Sequence, residues 1–107
     1  MLTVWGRVNS INVQKVLCCC DELGLAYTRI DAGMQFGQVQ TDAYLAMNPN
    51  GLVPTLIDGD ETLWESHVIM RYLIRRYDPS HLMTPATEIA IAQADKWLDW
   101  VHTVAWP

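Results

Sequence analysis

A chain of 107 residues, half of them apolar, has the length and composition of one small domain with a single core, and two complete domains do not fit. Its net charge of −5, from 12 acids against 7 bases with no basic run, argues against nucleic acid or an anionic membrane as the main partner and leaves a small molecule open. The first residues lack a basic segment followed by a long apolar one, and nowhere do about 18 apolar residues run uninterrupted, which points to a soluble, cytoplasmic protein.

Leu2 to Trp5 reads as a short strand. Ser10 then caps a helix whose apolar positions Val13, Val16, Leu17 and Cys20 recur every three or four residues until Gly24 ends it. Tyr27 to Asp31 follows as a second strand, and β-α-β within about thirty residues implies a parallel pair joined by a right-handed crossover. Residues 32–40 carry Gly33 and Gly37 and no helical stripe, so a loop is expected there, leading to a short helix from Thr41 to about Met47. The turn Asn48-Pro49-Asn50-Gly51 closes that helix.

The next residues, Leu52-Val53-Pro54-Thr55-Leu56, put a proline at the mouth of an apolar strand. Proline has no N–H for the ladder and belongs at a strand start, an edge or a bulge. The Val53-Pro54 bond is therefore a candidate for the cis isomer, which costs only about 0.5–1 kcal/mol relative to trans. Such a kink leaves the N–H and C=O of Val53 free to pair with an extended peptide laid alongside. Thr55 to Asp58 and Thr62 to Trp64 flank Gly59-Asp60-Glu61 at hairpin spacing. A helix starting near Ser66 presents Val68, Ile69, Tyr72 and Leu73 on one face and stops before Asp78-Pro79. Residues 80–86, with Pro85, suit a linker. From about Thr87 a further helix carries Ala94, Trp97, Leu98 and Val101 as a stripe, widened by Trp100, Val104 and Trp106. It is too apolar to stand alone, and the chain is expected to stop early in a second, all-helical domain.

The pairing of residues 48–56 with the run 63–73, in which Glu65-Ser66 stands just before a helical stripe, resembles the N-terminal domain of glutathione transferases. The likeness covers roughly residues 2–80 in order and spacing. It implies an α/β, thioredoxin-like β-α-β-α-β-β-α domain with cis-Pro54 over residues 1–79, a linker over 80–86, and the first helix of a truncated all-helical domain over 87–107. It also implies glutathione as co-substrate without a metal, a homodimer, and a cytoplasmic role in detoxification. By the same resemblance Val53, before cis-Pro54, pairs with the cysteinyl backbone of glutathione, and Glu65 with Ser66 holds its γ-glutamyl end. The glycine carboxylate needs a donor from the 32–41 loop, where the phi pattern has a histidine and a lysine and this chain has Val39 and Gln40. Gln38 or Gln40 offers amide hydrogens there without charge, and Lys15 is a further candidate.

Glutathione acts as a nucleophile through its thiolate, so an enzyme gains by lowering a thiol pKa of about 8.5 by about two units, worth about 2.7 kcal/mol. Ser10-Ile11-Asn12-Val13 places a hydroxyl, an amide NH2 and the free N–H groups of a helix start where they can face a sulfur and stabilise its anion. The stretch resembles the first helix of serine-type transferases of the phi kind, which favours Ser10. It also resembles the Thr-Pro-Asn-Gly stretch of bacterial transferases related to the Ure2 family, which favours Asn12. Both stand as candidates. The chain has no tyrosine at the end of the first strand and no cysteine in residues 6–12, which sets it apart from tyrosine-type and cysteine-type transferases and from glutaredoxins. Arg7 is a secondary candidate for positive charge near the thiolate, or is simply solvated.

Each of these residues has a plainer role: Ser10 as an N-cap worth about 1 kcal/mol, Asn12 as a first-turn residue, Glu65 as a strand-end acid, Ser66 as a cap. Cys18, Cys19 and Cys20 point about 100° apart on a helix and suit packing rather than redox chemistry. His67, His81 and His102 are far apart in sequence and lack ligand spacing, so no metal site is expected and packing or surface roles are the default. Trp64 and Tyr72 are expected in the core, and Trp97, Trp100 and Trp106 in a buried seam between two domains. Three functions follow from the resemblance. The first is a glutathione transferase whose bound thiolate attacks a small electrophile. The second is a glutathione-dependent disulfide reductase or peroxidase, and the third a non-catalytic glutathione-binding or protein-interaction module.

Overall fold

The computed structural model describes residues 1–78 and 87–105. The elements are β1 (Leu2–Trp5), α1 (Ile11–Glu22), β2 (Tyr27–Ile30), α2 (Asp42–Met47), β3 (Thr55–Asp58), β4 (Glu61–Trp64), α3 (Ser66–Tyr77) and α4 (Glu88–Trp100). A 3-10 turn at Met34–Phe36 lies inside the expected loop, and a π turn at Val101–Ala105 follows α4. The strands form one mixed sheet in the order β2-β1-β3-β4. As the β-α-β spacing requires, β1 is parallel to β2, while β3 is antiparallel to both β1 and β4. This is the thioredoxin-like order, followed by the start of a helical domain.

Strand alternation sends Leu2 and Val4 to one face, with Leu56 of β3 opposite Val4. Val16, Cys19 and Cys20 of α1 and Ile69 and Leu73 of α3 pack onto that face, and all are 4 % exposed or less. Each such aliphatic contributes about 1.5–3 kcal/mol by leaving water. On the opposite face Trp5 meets Tyr44 of α2 edge-on, with ring centroids 5.9 Å apart. Gly6 lets the chain turn from β1 onto α1, because a Cβ there would collide with Val13 Cγ2. Ser10 caps α1 as expected, its Oγ accepting from the Val13 N–H at 3.4 Å.

Several expectations shift. β2 ends at Ile30 rather than Asp31, and β4 begins at Glu61 rather than Thr62. On α1, Leu17 is only half-buried and Cys19 takes its place in the core. The buried stripe of α3 is turned relative to the expected one, with Val68 exposed and His67 buried beside Ile69 and Leu73. Trp64 is 38 % exposed rather than core, because β4 is the outer strand of the sheet. Tyr72 is half-buried and spends its hydroxyl on Asp58 Oδ2 at 2.6 Å, an oxygen that also accepts from Tyr77 at 2.7 Å. Trp97 and Trp100 are 58 % and 44 % exposed and meet each other edge-on. The expected linker at 80–86, His81 and Trp106 lie outside the described residues. Thr87 caps α4 through the Ala90 N–H, and Arg71 of α3 ties it to the body through Asp95 at 2.9 Å. No helix among the described residues is long and apolar enough to cross a membrane.

Candidate functional site

The loop between α2 and β3 is set by a small polar network. Tyr44 Oη donates to the Leu52 carbonyl at 2.6 Å and lies 2.7 Å from Thr55 Oγ1. Asn48 Nδ2 donates to the same carbonyl at 3.0 Å and to Thr55 Oγ1 at 3.1 Å, while Asn48 Oδ1 accepts from the Asn50 N–H. All three side chains belong to buried residues. They anchor the line of residues 52–55 through the Leu52 carbonyl and the Thr55 hydroxyl, with Val53-Pro54 in the cis form, and no backbone hydrogen bond joins Val53 to another described residue. The edge expected of Val53 is therefore open. Sequence reading missed Tyr44 and Asn48, whose partners are backbone and hydroxyl groups without a spacing signature. Tyr44→Phe is expected to lower stability by about 1–3 kcal/mol, since a buried carbonyl and hydroxyl lose a partner. An unmoved urea midpoint would remove Tyr44 as the pin.

Two depressions meet along this line and share Asn12, Leu52 and Val53 in their walls. The smaller, about 70 Å³, is closed by Pro54, Trp64, Glu65, Ser66 and His102. The larger, about 340 Å³, is bounded by Arg7, Ser10, Gly33, Met34 and Val39. Ser66 Oγ is buried and makes no hydrogen bond, an unusual state for a hydroxyl and one that a ligand oxygen would relieve. It sits at the first turn of α3, whose free N–H groups favour an anion. Glu65 precedes it in a backbone conformation of φ 76 and ψ 113, with its carboxylate unpartnered among the described residues. One pocket wall thus offers a cation partner, a hydroxyl donor and a helix start.

Asn12 stands between the two depressions. Ser10 is 6 % exposed and borders only the larger one, with its oxygen already accepting from Val13. Lys15 is not near the 32–41 loop in its bonding. Its ammonium lies 3.0 Å from Asn12 Oδ1, 3.1 Å from His67 Nε2 and 3.3 Å from His102 Nε2. The two imidazoles stack in parallel, 3.8 Å between centroids. Separate roles on the surface or in packing were expected for these histidines; the fold instead joins them, across 52 and 87 positions from Lys15. Burial, with the neighbouring Lys15, His102 and Arg71 charges, pushes His67 down to about 4, and burial likewise lowers the Lys15 ammonium.

The two glutamines enter neither depression. Gln38 and Gln40 are both exposed, Gln38 has φ 73, and Gln40 Nε2 lies against Gly51, where a Cβ would come within 2.7 Å of it. Arg7 does border the larger depression, its guanidinium reaching Gly33 so closely that a Cβ there would sit 2.7 Å from Nη1. Cys19 and Cys20 are buried, and burial raises both thiols to about 11, which makes them inert packing groups. Cys18 is exposed on the outer side of α1. Among the described residues no group of histidine, cysteine and acidic side chains could hold a metal ion.

Comparison with known proteins gives a consistent result. The family model for the N-terminal domain of glutathione S-transferases matches residues 1–75. Glutathione S-transferase GstB of Escherichia coli K12 is 49% identical over 106 residues, which are 95% of this chain and 50% of that protein. Glutathione S-transferase 3 of Zea mays is 35% identical over 99 residues, 92% of this chain and 44% of its own length. Among solved structures, the theta class glutathione S-transferase of Xanthomonas axonopodis pv. citri with glutathione bound superposes with a TM-score of 0.91 at 48% identity, covering 96% of this chain and 49% of that one. The glutathione transferase URE2P6 of Phanerochaete chrysosporium, in complex with oxidised glutathione, gives 0.85 at 34% identity, over 95% and 48%. The chain spans about half the length of the curated relatives it matches.

Proposed function

The chain belongs to the glutathione S-transferase family, of which it carries the N-terminal domain, and we propose that it binds glutathione across the two depressions and activates the thiol for attack on a small electrophile. The observation that carries this reading is the buried, unpartnered Ser66 Oγ in the same depression that Val53 lines. In this reading the γ-glutamyl unit fills the smaller depression, its amino group on Glu65 and its carboxylate on Ser66 and the start of α3. The cysteinyl backbone pairs with Val53 beside Pro54, and the sulfur lies at Asn12 and Ser10. The glycyl end extends into the larger depression, where Arg7 supplies the charge that Gln38 and Gln40 lack. Neither Asn12 nor Ser10 acts as a base; both lower the thiol pKa by donating to the anion.

The exposed Val68 and the half-buried Leu63 flank Arg71, Arg75 and Arg76 in a groove on the outer side of α3 and β4, which supports a homodimer. Light scattering on the full-length protein checks it. Calorimetric titration of that protein with reduced glutathione tests the main reading, and absence of binding by folded protein sinks it. Glutathione-dependent disulfide reduction is a second reading, favoured by Asn12 at the junction of the depressions and by the likeness to a transferase solved with oxidised glutathione. Turnover of a mixed disulfide exceeding that of any aryl halide would decide for it, and binding without either turnover would leave a non-catalytic module.

Because Asn12 borders both depressions and Ser10 one, Asn12→Ala is expected to raise the pKa of bound glutathione by about one unit, the worth of about one hydrogen bond. Ser10→Ala should raise it less and destabilise α1 by about 1 kcal/mol. Ultraviolet titration of the bound thiolate reads both, and the reverse ranking would make Ser10 the principal donor.

A further inference from the structure

Three acceptors converge on one ammonium: Asn12 Oδ1 at 3.0 Å, His67 Nε2 at 3.1 Å and His102 Nε2 at 3.3 Å. A lysine ammonium has three donors and no acceptor, so each contact is its own donation and the three hydrogens are used. Two orientations follow that are ordinarily ambiguous in a protein structure. The amide oxygen of Asn12 faces Lys15, which turns its NH2 group away from the lysine. Both imidazoles accept at Nε2, so each carries its proton on Nδ1. The stacked pair, parallel to within 1°, supplies the other two acceptors of the ammonium.

We propose that Lys15 is a positioning residue: it locks the Asn12 amide with its NH2 donors toward the sulfur of bound glutathione, and His67 and His102 hold Lys15 in that pose. This rests on the reading of Asn12 as the principal thiolate donor. A free asparagine at the mouth of two depressions would turn its amide either way, and half of its orientations would set an oxygen against a sulfur anion. A cation on the amide oxygen removes the wrong orientation and polarises the NH2 group toward stronger donation. The arrangement also ties three parts of the chain together. Lys15 lies on α1, His67 on the first turn of α3 next to Ser66, and His102 in the turn after α4, where it borders the smaller depression. The segment beyond α4 thereby reaches the thiol site through one ammonium.

The test uses the full-length protein and reads the pKa of bound glutathione beside its affinity. Lys15→Met keeps the aliphatic stem and removes the donors. It is expected to raise the bound-thiol pKa by about one unit and to lower kcat near neutral pH about tenfold, with the glutathione Kd within about twofold. Adding Asn12→Ala to Lys15→Met should raise it by less than the sum of the two single changes, because the lysine acts through the asparagine. Should Lys15→Met fail to fold, Lys15→Gln takes its place with the same ordering required. A wild-type thiol pKa in the lysine variant, or losses that add in the double variant, would overturn the role given to Lys15 while leaving Asn12 in place. An unshifted pKa in Asn12→Ala alone would instead overturn the reading of Asn12, and the role of Lys15 with it.

Discussion

Replacing Glu65 by glycine is expected to make the protein more stable and a poorer binder of glutathione. Glu65 holds φ 76, a region that side-chain-bearing residues rarely occupy, and a glycine would sit there without strain. Holding a residue of this kind in the left-handed region costs on the order of 1–3 kcal/mol. Nothing in the described fold offsets that: the residue is exposed, caps α3 without a side-chain hydrogen bond, and has no partner for its carboxylate among the described residues. The strained conformation delivers the carboxylate to the wall of the smaller depression, beside Ser66. Glu65→Gly should therefore raise stability by about 1 kcal/mol, allowing for the extra freedom of glycine in the unfolded chain. Affinity should fall by roughly 10- to 100-fold, the loss of a charge-assisted hydrogen bond worth about 1.5–3 kcal/mol. Glu65→Gln separates charge from shape, since it keeps the strain and loses only the charge. It should bind weakly with unchanged melting. Calorimetry and thermal denaturation on the same samples read both quantities, and a stabilised glycine variant with intact affinity would remove Glu65 from the site.

The parts of this site that could be read from the sequence are those carried by backbone chemistry. A proline at the mouth of an apolar strand, a turn rich in asparagine and glycine, and an acid and a serine before a helical stripe each act through a local constraint that the residue type itself imposes. Ser10 as the cap of α1 and the cis bond at Pro54 follow from the same kind of constraint. What stayed hidden was long-range. Lys15, His67 and His102 come together only because α1 and α3 pack side by side on one sheet face and the turn after α4 falls across them. Nothing in their separations signals that. The errors have a similar origin. Trp64 reads as core from its apolarity, yet β4 lies at the sheet edge, and strand order is a property of the assembled sheet rather than of the strand. His67 reads as a surface or packing residue, and the partner that accompanies its burial, a lysine to accept from, lies 52 positions away. The loop glutamines differ in another way: Gln38 and Gln40 follow the 3-10 turn at Met34–Phe36, Gln38 has φ 73, and neither lines the two depressions.

Below neutral pH the same histidine should govern stability. His67 is 4 % exposed and its folded pKa is pushed to about 4, first by burial and then by the positive charges of Lys15, His102 and Arg71, with Asp99 opposing them weakly. The unfolded chain protonates this imidazole near 6.5. Between those values the unfolded state binds a proton that the folded state refuses, so stability falls as pH drops. The contribution is complete above about 6.5, is lost progressively down to about 4, and is on the order of 3 kcal/mol. Asp58 acts in a separate window. Burial works to raise it, but the hydroxyls of Tyr72 and Tyr77 together with the N-terminal amine and Arg76 outweigh burial and hold its carboxyl below the ordinary value, so its stabilising effect is lost only under still more acidic conditions. Urea denaturation at pH of about 7, 5.5 and 4.5 should thus show a steady decline in the wild type. His67→Gln, which keeps an acceptor for Lys15 and cannot titrate, should flatten the decline over that range even if it lowers stability at pH of about 7. A decline of the same slope in that variant would assign the effect to other groups. The expected flattening carries a consequence for activity: protonating the His67 imidazole removes an acceptor from Lys15, so the hold on Asn12 should loosen over the same interval in which the fold weakens.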